Sequence, residues 1–259
     1  MEQSNYVEAV IESGIYWLTL NRIEARNALD SNMLDEIERA FGEAEKNQDV
    51  KVIVVQGAGG KSFAAGADIK QLNAKKPLEA LVPGMQGLYR RVENCNKVTI
   101  AAVDGYALGG GCELALACDI RMATNHAKFG LPELNLGIIP GAGGTQRLSR
   151  VIGKGRALDM ILTGKIIDGE EAERIGLVTY YVQREKLKDK IDEVSGHILK
   201  KGPIAIQLAK HAVNKGYDLD IETALWIEKL SQAVAFGTDD KQEGTAAFIE
   251  KRQAEFQNK

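Results

Sequence analysis

The sequence predicts an α/β core followed by a helical C-terminal block. Three observations predict it. The segment VKVIVVQ (50–56) is apolar but for Lys51 and Gln56 and leads into the glycine-rich loop GAGGKSFAAGAD, the pattern of a buried strand. Strand-like and helix-like segments alternate on either side of it as far as about residue 182. Beyond Pro203 only helix-period patterning remains.

The elements follow in order. Val7–Ile11 and Ile15–Leu20 flank Glu12-Ser13-Gly14 and read as a β-hairpin. Asp30 or Ser31 can cap a helix to about Lys46, with Met33, Leu34, Ile37 and Phe41 on one face. After the 50–56 strand and its loop come a helical stretch near 79–95 and a strand over Val98–Val103. Gly109, Gly110 and Gly111 then open a short apolar helix, CELALAC. Residues 119–124 and 127–130 read as short strands, and 144–152, 154–163 and 168–175 as helices. A strand over Val178–Val182 precedes a charged, solvated helix face at Arg184–Lys190. Pro203 is placed to start a helix with Ile204, Leu208 and Ala212 in register, and further helices cover about 221–235 and 239–254.

Composition narrows the function. The chain has 259 residues, 44% of them hydrophobic and 27% charged, which suits one large folded domain or a domain with a helical appendage. A net charge of -3 leaves no basic footprint for nucleic acid and no polybasic membrane patch. The N-terminal MEQSNYVEAV carries Glu2 and Glu8 and no arginine, unlike a secretory or transit leader. Residues 98–118 come nearest to a membrane span, but Asp104 and several glycines interrupt them. Cys95, Cys112 and Cys118 form no C-x-x-C pair and read as buried, reduced thiols of a cytosol-like compartment. Trp17 and Trp226 read as core or interface aromatics.

Charge is most informative where it is scarce. In LGGGCELALAC (108–118) the only carboxylate is Glu113, and in FGLPELNLGIIPGAGG (129–144) the only charged side chain is Glu133. Both settings are apolar or glycine-rich, and a lone buried carboxylate costs several kcal/mol unless it is bonded or neutralised. Burial also raises a carboxyl pKa toward the range useful for general acid/base chemistry. The bland alternative is that each carboxylate merely sits at a helix N-terminus, where the helix dipole favours acidic groups.

Two small-residue segments could supply backbone N–H donors to a developing oxyanion: Ala64–Asp68 and Gly109–Gly111. For each alone, tight turns or close packing is a sufficient explanation. Gly57, Gly59 and Gly60 lack the third glycine and the frame of a dinucleotide fingerprint, and no phosphate-loop motif or G-x-S-x-G elbow occurs. His126, His197 and His211 stand apart from one another and from the cysteines, which argues against a zinc site.

Together these segments resemble the crotonase (enoyl-CoA hydratase) superfamily. The match runs from about Val7 to Arg252. It is carried by IAAVDGYALGGGCELALACDIRMA (100–123), FGLPELNLGIIPGAGGTQRL (129–148), SFAAGADIKQL (62–72), TGKIIDGEEAERIGLV (163–178) and EGTAAFIEKR (243–252). The resemblance implies a crotonase-like spiral of ββα repeats over residues 1–195, holding the CoA and catalytic sites. It implies a helical region over 196–259 that trimerises and covers the site, with two trimers stacking into a hexamer. It places the catalytic pair on Glu113 and Glu133, with the hydratase spacing between them, and the oxyanion-hole amides on Ala67 and Gly110. Substrate contacts are implied for Ala65, Ala67, Asp68, Ile69, Lys70, Gly110 and Gly141, with Ala25 and Arg26 leaning on the CoA nucleotide. Phe248 and Lys251 resemble positions where a neighbouring subunit helps to cover CoA. Ile23 and Val98 stand where the family often has proline, which puts only local geometry in doubt, and the weakly patterned stretch Asn73–Arg90 would form part of the acyl pocket.

The implied activity is reversible addition of water to a trans-2-enoyl-CoA, giving a 3-hydroxyacyl-CoA, in a cytoplasmic enzyme of fatty-acid β-oxidation. Coenzyme A is then part of the substrate, and neither a metal nor a redox cofactor is expected. Two alternatives stay open. One is another crotonase reaction, such as double-bond isomerisation, a 3-methylglutaconyl-type hydration or a dehydration in reverse. The other is a non-catalytic or RNA-binding protein of the same fold, against which the acidic balance and the two glutamates speak.

Overall fold

The computed structural model describes residues 6–259; Glu2, used above in the argument against a leader, lies outside the described residues. The strands are β1 (Val7–Glu12), β2 (Ile15–Leu20), β3 (Val52–Gly57), β4 (Ser62–Ala64), β5 (Val98–Val103), β6 (Tyr106–Leu108), β7 (Ile120–Thr124), β8 (Lys128–Gly130), β9 (Ile167–Asp168) and β10 (Tyr180–Val182). The helices of the core are α1 (Ser31–Lys46), α2 (Ile69–Ala74), α3 (Gly84–Glu93), α4 (Gly110–Ala117), α5 (Gly144–Ile152), α6 (Lys154–Thr163), α7 (Gly169–Arg174) and α8 (Leu187–Leu199). They are followed by α9 (Pro203–Gly216), α10 (Ile221–Phe236) and α11 (Asp239–Glu250).

Two sheets form the core. The larger has the order β1-β2-β3-β5-β7-β10, antiparallel between β1 and β2 and parallel elsewhere. The smaller has the order β4-β6-β8-β9, with β4, β6 and β8 parallel. The chain therefore visits the large sheet, then the small one, then a helix, and repeats: β3-β4 then α2 and α3, β5-β6 then α4, β7-β8 then α5. This is the spiral of ββα repeats that the resemblance implies.

The period-2 side-chain alternation of a strand explains why the central strands β2, β3 and β5, which are covered on both faces, are largely apolar, whereas the edge strand β1 is mostly exposed and carries two glutamates. Leu18, Leu20, Ile53, Val55, Ala101 and Val103 enter the main core with α1, α3 and α4. Their neighbours Trp17, Val52, Val54, Ile100 and Met122 point to the opposite face, which α8 covers with Ile191 and Val194. The Asp30 side chain accepts from the Met33 amide and caps α1.

Several boundaries differ from the sequence reading, each for a local reason. The stretch 79–95 is not one helix. A 3-10 turn at Pro77–Leu81 is separated from α3 by Val82, held extended (ψ 134°) by the following Pro83, and by Pro83 itself, and α3 then starts at Gly84 (φ +41°). The strand near 178 begins only at Tyr180, because the amides of Leu177 and Val178 both turn back to the Ala172 carbonyl. The last helix stops at Glu250, where Lys251 turns left-handed (φ 56°). Residue 195 falls inside α8, which is packed on the sheet, so the chain's own break before the outlying helices is the turn at 200–202. α9 and α10 bury no side chain fully, and Val213, Trp226, Leu230, Val234, Phe248 and Ile249 are exposed.

Candidate active site

α4 begins where β6 ends, and the turn between them depends on glycine. Gly109 has φ 50° and ψ −124°, a conformation costly for any residue with a Cβ. A Cβ there would also lie 3.2 Å from Glu133 Oε1, so Glu133 reaches over this turn. Next to it, a Cβ on Gly110 would lie 3.6 Å from the Ala67 amide nitrogen and 2.7 Å from Met85 Sδ. The glycine run thus brings the start of α4 against the 64–68 turn, with Met85 above.

Glu113 projects from the first turn of α4 and is 2% exposed. Its Oε1 accepts from the amides of Ala142 (2.8 Å) and Gly144 (2.7 Å). Gly144 is the first residue of α5, so the carboxylate, carried in the first turn of α4, also sits at the N-terminus of a neighbouring helix. Burial pushes the Glu113 carboxyl above its ordinary range, against the two amides and the Arg147 charge, which pull it down.

Glu133 opens the 3-10 turn Glu133–Leu136. Its Oε2 is buried with no hydrogen-bond partner among the described residues. Burial pushes the carboxyl up to about 7, against a hydrogen bond from its own backbone and with a smaller push from the negative charge of Glu113. The two carboxyls are therefore differentiated. Glu113 is braced by amides that suit its ionised form. Glu133 can hold a proton near neutrality, and two carboxyls in such different surroundings can serve acid/base chemistry.

The 64–68 turn is fixed by the chain beside it. The Ala65 amide donates to the Arg26 carbonyl, the Leu29 amide to Gly66 and the Asp68 amide to Leu29. Ala67 and Gly110 are left over: among the described residues neither amide is spent in a turn, loop or cap hydrogen bond. Two unspent N–H groups side by side form a receptor for an oxygen carrying negative charge.

The remaining predicted site residues divide. Ala25 closes the 3-10 turn Ile23–Ala25, and Arg26 follows it exposed and left-handed (φ 55°). Ile69 and Lys70 are exposed at the start of α2. Asp68 has its carboxylate committed internally, to the Lys70 and Gln71 amides and to Arg22 Nη1 (3.2 Å). Gly141 is exposed beside Ala142. Four residues escaped the sequence reading: Ala142 and Gly144, which hold Glu113; Met85; and Tyr89, fully buried, whose hydroxyl donates to the Gly110 carbonyl (2.7 Å). The first two lie in PGAGG, a visible motif, whereas Met85 and Tyr89 lie in the weakly patterned stretch and carried no signal. A cavity of ≈ 290 Å³ between the end of α3 and α9, lined by Asn94, Gln207, Lys210 and His211 among others, is separate from this pair. The described residues contain no cluster of three or more His, Cys, Asp or Glu placed to hold a metal ion, and no helix long and apolar enough to cross a membrane.

Comparison with known proteins gives a consistent result. The family described as Enoyl-CoA hydratase/isomerase matches residues 10–259. The short-chain-enoyl-CoA hydratase of Clostridium acetobutylicum is 44% identical over 251 residues, covering 96% of each chain. The crotonyl-CoA hydratase of Syntrophomonas wolfei is 45% identical over 244 residues, covering 93% of this chain and 94% of its own. The crystal structure of an enoyl-CoA hydratase from Bacillus anthracis superposes with a TM-score of 0.94 at 38% identity, covering 98% of this chain and 100% of that one.

Proposed function

The chain belongs to the enoyl-CoA hydratase/isomerase family, and we propose that it is a short-chain enoyl-CoA hydratase, a hydro-lyase adding water reversibly to trans-2-enoyl-CoA thioesters. The observation that carries the reading is the differentiated carboxyl pair, Glu113 amide-braced and Glu133 raised to about 7, around a glycine turn with two unspent amides.

In this mechanism the thioester carbonyl oxygen accepts from the Ala67 and Gly110 amides. Charge collects on that oxygen as water attacks C3, and each donor lowers the barrier by roughly 3–4 kcal/mol. Glu113, ionised, orients the water and takes its proton. Glu133, protonated, delivers a proton to C2 as the enolate collapses. The balance is one water added across C2 and C3, with the C–O bond formed at C3, and the mechanism calls on neither a metal nor a redox cofactor. Ala25, Arg26, Ala65, Ile69, Lys70 and Gly141 are assigned to the CoA-binding surface by position. Asp68 is assigned a supporting part, since its carboxylate is already engaged.

The exposed apolar faces of α10 and α11 support assembly into a trimer or hexamer through the 196–259 region. Three unpaired, buried cysteines support a cytoplasmic setting, and the reaction suits fatty-acid β-oxidation. The test is loss of the conjugated enoyl-thioester absorbance when the purified protein meets crotonyl-CoA. Fast loss with 3-hydroxybutyryl-CoA as product is expected. No loss in protein that still binds CoA would overturn the hydratase reading in favour of isomerisation or a branched substrate.

A further inference from the structure

Arg147 is a largely buried cation whose charge acts on Glu113 and that has no part in the mechanism above. It is only 13% exposed in the first two turns of α5, and its guanidinium makes three bonds. Nε and Nη2 grip the two oxygens of Glu93 at the end of α3, each at 3.2 Å, and Nη1 donates to the Ala142 carbonyl at 3.0 Å. Gly143, between the two residues that hold Glu113, has φ +107°, and a Cβ added there would run into Arg147 Nη1. The guanidinium therefore occupies the space a side chain at 143 would need. The Ala142–Gly144 loop is held on its carbonyl side by Arg147 and presents its amides to Glu113 on the other.

We propose that Arg147, clamped by Glu93, is a positioning residue for Glu113: it fixes the loop whose amides hold the carboxylate and sets a positive charge behind it. The role assigned to Glu113 rests on the hydratase reading; the grip on the loop does not. The titratable groups facing Glu113 are Cys112 on its own helix, Tyr89 from α3, Glu133 from the turn after β8 and Arg147 from α5. Arg147 is the cation of this set. Glu93 completes the device. Burial pushes its carboxyl up, but the bonds from Arg147 and Arg90 outweigh that and hold it below the usual range, so the pair stays ionised. A planar fork is needed to hold two carboxylate oxygens and a carbonyl together, which a lysine cannot do.

The test compares Arg147→Gln, Arg147→Lys and Glu93→Gln with wild type, measuring kcat/KM for crotonyl-CoA from pH 5 to pH 9 in protein of native circular dichroism. All three should lose about 10- to 100-fold at pH 8 through misplacement of Glu113. The pH dependence separates charge from support. Arg147→Gln removes a cation, so Glu113 ionises less readily and the rate should fall about threefold or more further at pH 5. Glu93→Gln removes an anion, so the acid side should be unchanged or protected, and Arg147→Lys should keep the wild-type acid side. General loosening of the site would move all three the same way, and that result, or a wild-type rate in Arg147→Gln, overturns the proposal. The Glu113 carboxyl is also titrated directly by infrared absorption of 13C-glutamate protein, with Glu113→Gln identifying its band. If wild type does not hydrate crotonyl-CoA but the Arg147→Gln band titrates at higher pH, the hydratase reading fails and the positioning role stands. If the band does not move, the positioning role fails alone.

Discussion

Replacing Glu133 by glutamine should stabilise the protein in alkaline solution while disabling it. Glu133 Oε2 is buried without a partner, and the carboxyl is pushed from 4.5 up to about 7. An acid with a raised pKa in the native state binds its proton more tightly there than in the unfolded chain. Its ionisation therefore opposes folding: the penalty is absent well below pH 4.5, grows between pH 4.5 and about 7, and is constant above. A change of about 2.5 pH units is worth about 3.4 kcal/mol for a fully sequestered group at 1.36 kcal/mol per unit. Glu133 is only half-buried, and solvent screening brings this to about 1–2 kcal/mol. Glutamine keeps the shape and cannot ionise. Glu133→Gln should thus gain about 1–2 kcal/mol over wild type on going from pH 5 to pH 8, or about 3–6 °C in Tm. The assay is urea and thermal unfolding of both proteins at matched concentration at the two pH values. The amide also needs partners, so the change in the gap with pH, not the gap itself, is diagnostic. A gap that is the same at both pH values, or that narrows at pH 8, would refute the argument that Glu133 is held in a costly ionisation state.

Turnover of crotonyl-CoA should fall at least about 100-fold in both Glu113→Gln and Glu133→Gln, with CoA binding by calorimetry retained; near-normal hydration in either would remove that residue from the mechanism. Hydration needs Glu113 ionised and Glu133 protonated, so kcat/KM should decline as pH rises through about 7, and residual activity in Glu133→Gln should lack that alkaline decline. Tyr89→Phe leaves the buried Gly110 carbonyl without its hydroxyl donor and should cost about 1–3 kcal/mol of stability by urea unfolding. Trp226→Glu combined with Leu230→Glu places charge on the exposed face of α10 and should lower the mass measured by light scattering, whereas an unchanged mass would place the assembly surface elsewhere.

What could be read from the sequence was what a single segment decides. The strand VKVIVVQ declares burial, and two carboxylates isolated among apolar and glycine residues declare a cost that has to be met. Elements of two or three residues, such as β4, β6 and β9, leave no periodicity to detect, and they exist because neighbouring turns of the spiral pair with them. Partners of the pair were hidden for a different reason. Glu113 is held by backbone amides, which every residue except proline carries, so nothing in the identity of Ala142 or Gly144 marks them as donors. Tyr89 and Arg147 come from segments whose patterning serves packing, and each acquires its part only where α3 and α5 meet the start of α4. The same distinction explains why the helix-terminus reading of Glu113 and the catalytic one were never exclusive. The α5 N-terminus makes a buried carboxylate tolerable, and the remaining excess of burial leaves its pKa raised, so one contact is compatible with both stability and the proposed chemistry. Glu133 opens only a short 3-10 turn and its Oε2 finds no hydrogen-bond partner among the described residues, so the cost of its burial is less relieved and its carboxyl is pushed up to about 7, as the proposed proton donor requires.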